Sequence, residues 1–335
     1  MAVMNIREAI STTIHAEMER DSNVLILGED IVGGMGTAGG PEAIGGIWGL
    51  TGGLYAKFGP NRVIDTPISE SCIIGAAAGA ALSGKRAIAE LMFADFVGVC
   101  LDQLYNQIAK FRYMFGGAKC PVTVRLTYGA GLNAAAQHSQ AVYAMLTSIP
   151  GLKVVMPTTP ADAKGLLTSA IRGDDPVMFF EHKTLYGEKG EVPDGDYLLP
   201  FGHARMVREG RDASIVTCGQ MVGLAARAAD TLAKDGIACD VIDLRTTSPM
   251  DEETILDSVE MSGRLIVVDE SPPRCSLAAD IAGLVANKAF AALRAPIEMV
   301  TPPHTPVPFA RELERAYLPS AADIEAAVRK ALAYR

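Results

Sequence analysis

Apolar positions along this chain follow two periods that take turns. Residues 5–20 carry Ile6, Ile10, Ile14 and Met18 at four-residue spacing with charges on the opposite face, which predicts an amphipathic helix. Residues 23–27 read as an apolar strand that ends in Gly28-Glu29-Asp30. The alternation then repeats, with strands expected at 86–91, 121–126, 152–156 and 176–180 and helices at 97–113 and 161–171. A smaller second half shows the same rhythm, with strands at 213–217, 238–244, 265–269 and 297–300 and helices at 221–233, 251–259, 277–290 and 321–333. Short apolar strands separated by helices predict an α/β fold with a parallel sheet covered on both faces. Between the halves, residues 183–200 are polar and rich in Gly and Pro, which places a domain boundary there, with domains at 1–190 and 191–335. Residues 301–309 contain four prolines and are expected to be extended.

Residues 62–96 depart from this rhythm and organise the rest. After the β-branched run Val63-Ile64-Asp65, Thr66-Pro67 ends the strand and Ser69-Glu70-Ser71 leads into a segment that is apolar or small from Cys72 to Leu82. A helix apolar all round cannot face water on any side. Gly75 and Gly79 would let another backbone approach, so this helix is expected between layers or at a subunit interface. Glu70 stands at its start, held against a wall of Ile68, Ile73 and Ile74, and burial there favours proton sharing with a ligand. On residue types alone a plainer reading is preferred, a first-turn acid complementing the helix dipole beside Ser69 as cap.

Two more residues stand out by position. Glu29 lies at the C-terminal end of a strand, where ligands usually sit in such sheets. His138 follows a glycine-containing loop and precedes a helix, a place suited to proton transfer and equally to a capping or interface role. Residues 33–53 form a glycine-rich loop that Trp48, the only tryptophan, is expected to anchor. Its run Gly34-Met35-Gly36-Thr37-Ala38-Gly39 matches a dinucleotide-binding pattern weakly, being separated from the strand and followed by Gly40-Pro41 where a helix should open.

Composition narrows the function classes. The chain is 335 residues long and 49% hydrophobic, yet no segment approaches the roughly 18–20 uninterrupted apolar residues of a membrane span. The start, MAVMNIREAI, lacks the basic region and apolar core of a signal peptide, so a cytoplasmic protein is expected. Surplus apolar content suits a large obligate interface. Six scattered cysteines with no CxxC pair fit a reducing compartment and support neither zinc nor disulfides. A net charge of −9 without Lys/Arg clusters argues against nucleic acid and anionic membranes and suits a basic protein partner.

An ordered set of motifs spans essentially the whole chain: NIREAI at the start, LGED at 27–30, KFGPNRVIDTPISES at 57–71, ELMFADF at 90–96, AKFRYMFGG at 109–117, AAQHSQ at 135–140, PGLKVV at 150–155, DAKGLL at 162–167, VIDLRTTSP, and PHTPVPF at 303–309. Together they resemble the beta subunit of the thiamine-diphosphate-dependent first component of 2-oxo acid dehydrogenase complexes, the acetoin dehydrogenase branch above all. The resemblance displaces the plainer readings of Glu70 and His138. It implies a transketolase-like fold, a parallel-sheet pyrimidine-binding domain followed by a smaller α/β C-terminal domain. It also implies an alpha2beta2 heterotetramer with the coenzyme across the alpha/beta interface, the alpha subunit holding the diphosphate and Mg²⁺ through a GDG motif. This chain lacks that motif, since Asp194-Gly195-Asp196 has no suitable helix after it.

By the same resemblance Glu70 is the acid that hydrogen-bonds a ring nitrogen of the aminopyrimidine and so promotes removal of the thiazolium C2 proton. Phe96 lies against the pyrimidine, Met92 two alternations earlier on the same face, and Glu29 nearby. His138 assists proton transfers and reaction with the lipoyl disulfide of a dihydrolipoyl acyltransferase. Backbone carbonyls of Val122, Ala170, Gly173 and Asp175 form a potassium site, with Gly173 where an Asp is common. The implied reaction is cleavage of acetoin to acetaldehyde and a two-carbon unit. Ser148, where relatives commonly carry His, leaves open the same subunit of a pyruvate or branched-chain 2-oxo acid dehydrogenase. From other classes, a non-catalytic assembly subunit and an autonomous transketolase-type or nucleotide-binding enzyme remain as alternatives.

Overall fold

Asn5 begins the first helix because its side chain accepts from the Glu8 amide while the Glu8 carboxylate accepts from the Asn5 amide, a reciprocal cap that satisfies two orphan donors. In the computed structural model, which describes residues 1–33 and 44–334, the chain divides into two compact units. The first comprises Met1–Tyr128 with Leu146–Phe201, the second Gly129–Met145 with Gly202–Arg335. The pattern at residues 34–39 lies outside the described residues.

In the first unit β1 (Ala2–Asn5) leads into α1 (Ile6–Arg20), β2 (Val24–Glu29), α2 (Leu54–Phe58), β3 (Val63–Thr66), α3 (Glu70–Leu82), β4 (Arg86–Phe93), α4 (Phe111–Met114) and β5 (Val122–Tyr128). After the short α5 (Tyr143–Thr147), whose first residues belong to the second unit, come β6 (Lys153–Val155), α6 (Pro160–Arg172), β7 (Val177–His182) and β8 (Lys189–Val192). Within this unit the sheet runs β6-β7-β5-β4-β2-β3, every pairing parallel. Ile10, Ile14 and Met18 of α1 pack with Leu166, Leu167 and Ile171 of α6 over Ile26, Ile88 and Phe179 of the sheet. Burying side chains of this size contributes about 1.5–3 kcal/mol each. Gly165 is needed where the chain returns over α6, since a Cβ there would lie 2.7 Å from Leu199 Cγ.

The second unit holds β9 (Arg205–Arg208), β10 (Ala213–Thr217), α7 (Gln220–Lys234), β11 (Cys239–Asp243), β12 (Thr246–Ser248), α8 (Glu252–Ser262), β13 (Leu265–Val268), α9 (Leu277–Lys288), β14 (Glu298–Val300), α10 (Arg311–Tyr317) and α11 (Ala321–Ala333). Its sheet runs β14-β13-β10-β11-β9, with only the edge strand β9 antiparallel. The alanine stripe of α7 (Ala225, Ala228, Ala229) and Ile324 and Val328 of α11 share one core with Ile215, Val241 and Ile266.

Several expectations need correcting. The helix expected over 97–113 is broken into a 3₁₀ turn at Ala94–Gly98, a π-helical turn at Gln103–Ile108 and the short α4. Part of the polar stretch 183–200 is a strand, β8, paired antiparallel with β1 from Ala2↔Val192 to Asn5↔Lys189. β9 and α10 were not foreseen. Helix α3 buries Ile73, Ile74, Ala77, Ala78 and Ala81 within the chain but leaves Cys72, Ala76 and Gly79 exposed. Among the described residues no atom lies within 4 Å of a Cβ built on Gly79, so none of them approaches there. Among the described residues no helix is long and apolar enough to cross a membrane.

Candidate active site

Parallel strands end together, and the C-terminal edge of the first sheet gathers carboxylates. Strand register sets Gly28 beside Asp65 of β3 and beside Glu90 of β4, so Glu29, Asp30 and Asp65 crowd one edge. Asp30 turns the chain with φ 57°, and Asp65 Oδ1 accepts from the Val32 amide at 3.3 Å. Glu29 titrates above the usual carboxylate range, first because burial disfavours its charge and then because Asp30, Glu70 and Asp65 repel it.

Glu70 is the first residue of α3 and only 8% exposed. Ser69 before it makes no capping hydrogen bond, so the capping reading of this turn is not what the backbone uses. Among the described residues the Glu70 carboxylate makes no hydrogen bond or ion pair. Burial pushes the Cys100 thiol up to about 12, with the charge of Glu70 adding to the effect. The wall beside Glu70 is made by buried Ile73 and Ile74 but not by Ile68, which is 76% exposed.

Met92 and Phe96 are close in the chain but not on one face of a strand, contrary to the alternation expected. The register of β4 against β5 slips between Leu91 and Phe93, and the chain then enters the 3₁₀ turn that carries Phe96. Phe96 meets Phe93 edge-on at 5.8 Å, and buried Lys183 places Nζ 5.3 Å from the Phe93 ring centre. The Met92 carbonyl accepts from Thr127 Oγ1 at 2.6 Å.

Behind this edge lies a charge network that residue patterns did not flag. Arg125, 1% exposed, donates to both oxygens of Glu181 at 2.7 and 2.9 Å and to Glu90 at 2.7 Å, and the Tyr186 hydroxyl donates to Glu181 at 2.6 Å. Burial works against the charge on Arg125, yet Glu181 and Glu90 outweigh it and raise its pKa. Burial likewise pushes Glu90 up, against the pull of Arg125. Trp48 does anchor the described part of the glycine-rich loop, its ring 5.5 Å from that of Tyr186. Gly46 of that loop has φ 74°, and a Cβ there would lie 3.2 Å from Glu90 Oε1.

His138 belongs to the second unit and is half-buried in an irregular segment with left-handed backbone at Gly129, Gly131, Asn133 and Ala135. The structure thus brings Glu29, Glu70, Met92 and Phe96 into one unit and seats His138 in the other. Sequence reasoning missed the acids that hold this segment. Ala130 N donates to Glu270 Oε1 at 2.7 Å, and Gly131 N donates to Glu314 Oε1 at 2.9 Å. Glu270 follows an apolar strand, the signal that singled out Glu29, whereas nothing near Glu314 marks it.

The four carbonyls of the expected potassium site come from the start of β5, the last turn of α6 and the residues just after it. A helix C-terminus leaves carbonyls without intrahelical donors at the negative end of the dipole, which suits a hard cation. Arg86 already uses part of that acceptor set, donating to Gly173 O at 2.6 Å and Ile171 O at 3.2 Å. The Asp175 side chain is engaged elsewhere, by Arg112 and by Lys153 at 3.0 Å. Among the described residues no group of His, Cys, Asp and Glu could hold a metal ion.

Two family models match: the transketolase pyrimidine-binding domain over residues 2–189 and the transketolase C-terminal domain over residues 202–324. The chain is 60% identical over 330 residues to the acetoin:2,6-dichlorophenolindophenol oxidoreductase beta subunit of Cupriavidus necator, covering 98% of this chain and 97% of that one. It is 54% identical to the subunit of the same name from Bacillus subtilis, covering 95% and 94%. A solved split-gene transketolase, an inactive beta4 tetramer, superposes with a TM-score of 0.78 at 24% identity over 99% of both chains, a likeness of fold alone. With both domains matched and the relatives aligned over nearly their whole length, the chain belongs to the transketolase-like family of beta subunits that serve the thiamine-diphosphate-dependent first components of 2-oxo acid and acetoin dehydrogenases.

Proposed function

We propose that this chain is the beta subunit of an acetoin-cleaving dehydrogenase, working with an alpha subunit in a cytoplasmic alpha2beta2 heterotetramer. The two-carbon unit from acetoin passes to the lipoyl group of a dihydrolipoyl acyltransferase. The observation that carries the reading is Glu70, a buried carboxylate with no partner among the described residues, at the sheet edge where ligands of α/β folds sit. Its side chain is held against the protein with no protein donor among the described residues, which leaves the carboxylate free to meet an aminopyrimidine that offers a ring nitrogen. When bound, thiamine diphosphate supplies a thiazolium carbon nucleophile that allows the carbon–carbon bond of acetoin to break with release of acetaldehyde.

The chain's own residues divide the remaining work. Glu70 shares a proton with the ring nitrogen of the aminopyrimidine. Glu29, whose pKa is raised by burial and by the charges of Asp30, Glu70 and Asp65, adjusts the charge around Glu70. Phe96 and Met92 flank the ring and exclude water from it. His138 moves protons as the two-carbon unit leaves for the lipoyl disulfide. The alpha subunit holds the diphosphate and Mg²⁺. The carbonyls of Val122, Ala170, Gly173 and Asp175 would hold a structural potassium ion, with Arg86 sharing the Gly173 carbonyl. Acetoin is preferred over pyruvate because two relatives at 60% and 54% identity carry acetoin in their names.

Recombinant alpha and beta chains assayed together with an artificial electron acceptor test the reading. Turnover of acetoin should exceed that of pyruvate, and faster pyruvate turnover would move the chain to the 2-oxo acid branch. Unchanged turnover in Glu70→Gln and His138→Ala, with normal tetramers, would reduce it to an assembly subunit.

A further inference from the structure

The segment that carries His138 has neither helix nor sheet to fix it from Gly129 to Val142, so its backbone donors must be met in some other way. Two acids of the same compact unit, Glu270 and Glu314, meet several of them, and a third, Asp269, holds the side chain of the residue that follows. At the start, Glu270, 4% exposed, takes the Ala130 amide at 2.7 Å. In the middle, Glu314, 3% exposed, takes the Gly131 amide at 2.9 Å, the Asn133 amide at 3.0 Å and Asn133 Nδ2 at 3.1 Å. At the far end the Tyr143 hydroxyl donates to Asp269, which also accepts from the Ser271 and Ala278 amides at 2.9 Å.

The middle grip is the most demanding. Left-handed backbone at Gly131 (φ 111°) and Asn133 (φ 55°) turns neighbouring N–H groups to one side, making a concave anion site of the kind that carboxylates fill. Val307 of the proline-rich stretch and Tyr317 of α10 pack on Ala130 and help keep water from the grip. Charge-assisted bonds of this sort are roughly twice as strong as neutral ones. His138 itself is tied back to this turn, its amide reaching Ala135 O at 3.5 Å.

We infer that Glu314, with Glu270 and Asp269, is a positioning residue that fixes the loop presenting His138. The C-terminal unit thereby sets the geometry of proton transfer without touching substrate. This rests on the reading of His138 given above. Glu314→Gln replaces one acceptor oxygen with an amide that has donors of its own, setting N–H against N–H. A displacement of about 1 Å in a proton-transfer group costs about a hundredfold in the step it serves.

The test uses the complete alpha–beta enzyme. Glu314→Gln is expected to lower kcat for transfer to a lipoyl domain about tenfold or more, with KM for acetoin unchanged. Deuterium exchange at C2 of the bound thiazolium, which depends on Glu70, should keep its original rate. In the free chain without coenzyme, amide hydrogen exchange across residues 130–140 should speed up about tenfold. Glu314→Asp, which keeps the charge, should restore part of both losses. In a His138→Ala background Glu314→Gln should add nothing further.

Unchanged amide exchange in Glu314→Gln, or an equal fall in C2 exchange and lipoyl transfer, would overturn the inference. If His138→Ala slows lipoyl transfer while Glu314→Gln does not, the positioning role fails and His138 keeps its own. If His138→Ala leaves lipoyl transfer intact, the reading of His138 falls and this inference with it.

Discussion

Glu70 and Glu90 are both 8% exposed, lie in the same unit and differ in almost everything else. Glu90 meets a guanidinium at 2.7 Å inside a network that also contains Glu181 and Tyr186. Glu70 meets no protein donor among the described residues and stands at the open edge of the sheet. Equal burial therefore has two outcomes. A buried acid with its counter-charge built in belongs to the framework, and one without it is matched to something that arrives from outside.

The comparison breaks most visibly at Arg125. Arg125→Met leaves two carboxylates buried without their cation and should lower unfolding free energy by about 3–5 kcal/mol in denaturant titrations. The deficit should shrink as pH falls, because protonated carboxyls need no counter-charge. The opposite pattern is expected at Glu70. Glu70→Gln should leave stability within about 0.5 kcal/mol and lower acetoin turnover in the alpha–beta enzyme about a hundredfold or more. A large loss of stability there would place Glu70 with the framework acids.

Phe96→Ala sharpens the contrast from the ligand side. It should weaken thiamine diphosphate binding by about 0.5–1.5 kcal/mol beyond the lost area, measured by calorimetry on the alpha–beta complex. The smallest effect is at Glu29, whose pKa is raised by burial and by Asp30, Glu70 and Asp65. A raised carboxyl pKa means the folded state binds the proton more tightly than the unfolded one. Stability should then decline as pH rises from the ordinary glutamate value through the raised one. Glu29→Gln should flatten that part of a melting temperature against pH curve, and an unchanged slope would assign the effect to other groups.

What the chain betrays in advance follows from where its charges interrupt apolar runs. Glu29 and Glu70 close or open such runs, so residue order alone drew attention to both. Arg125 was equally visible in principle, as the one charge inside the strand VTVRLTY, and a charge at the centre of a fully buried strand demands a partner. Its partners Glu90 and Glu181 lie on the two neighbouring strands, a pairing that only sheet order reveals. The break in the helix expected at 97–113 had no such marker. Gly98 is the only Gly or Pro in that stretch, and the π-helical turn at Gln103–Ile108 answers to packing against α3. Glu314 was illegible for another reason, since its targets are 181 and 183 residues away and share no local pattern with it.

That separation has a consequence for synthesis. Gly131 leaves the ribosome 183 residues before the carboxylate that completes the middle grip. At about 5–20 residues per second, that is a wait of roughly ten to forty seconds. During this interval the nascent peptide around His138 has no native acceptor for the Gly131 and Asn133 amides, so a chaperone or protease that samples emerging chains meets it unfolded.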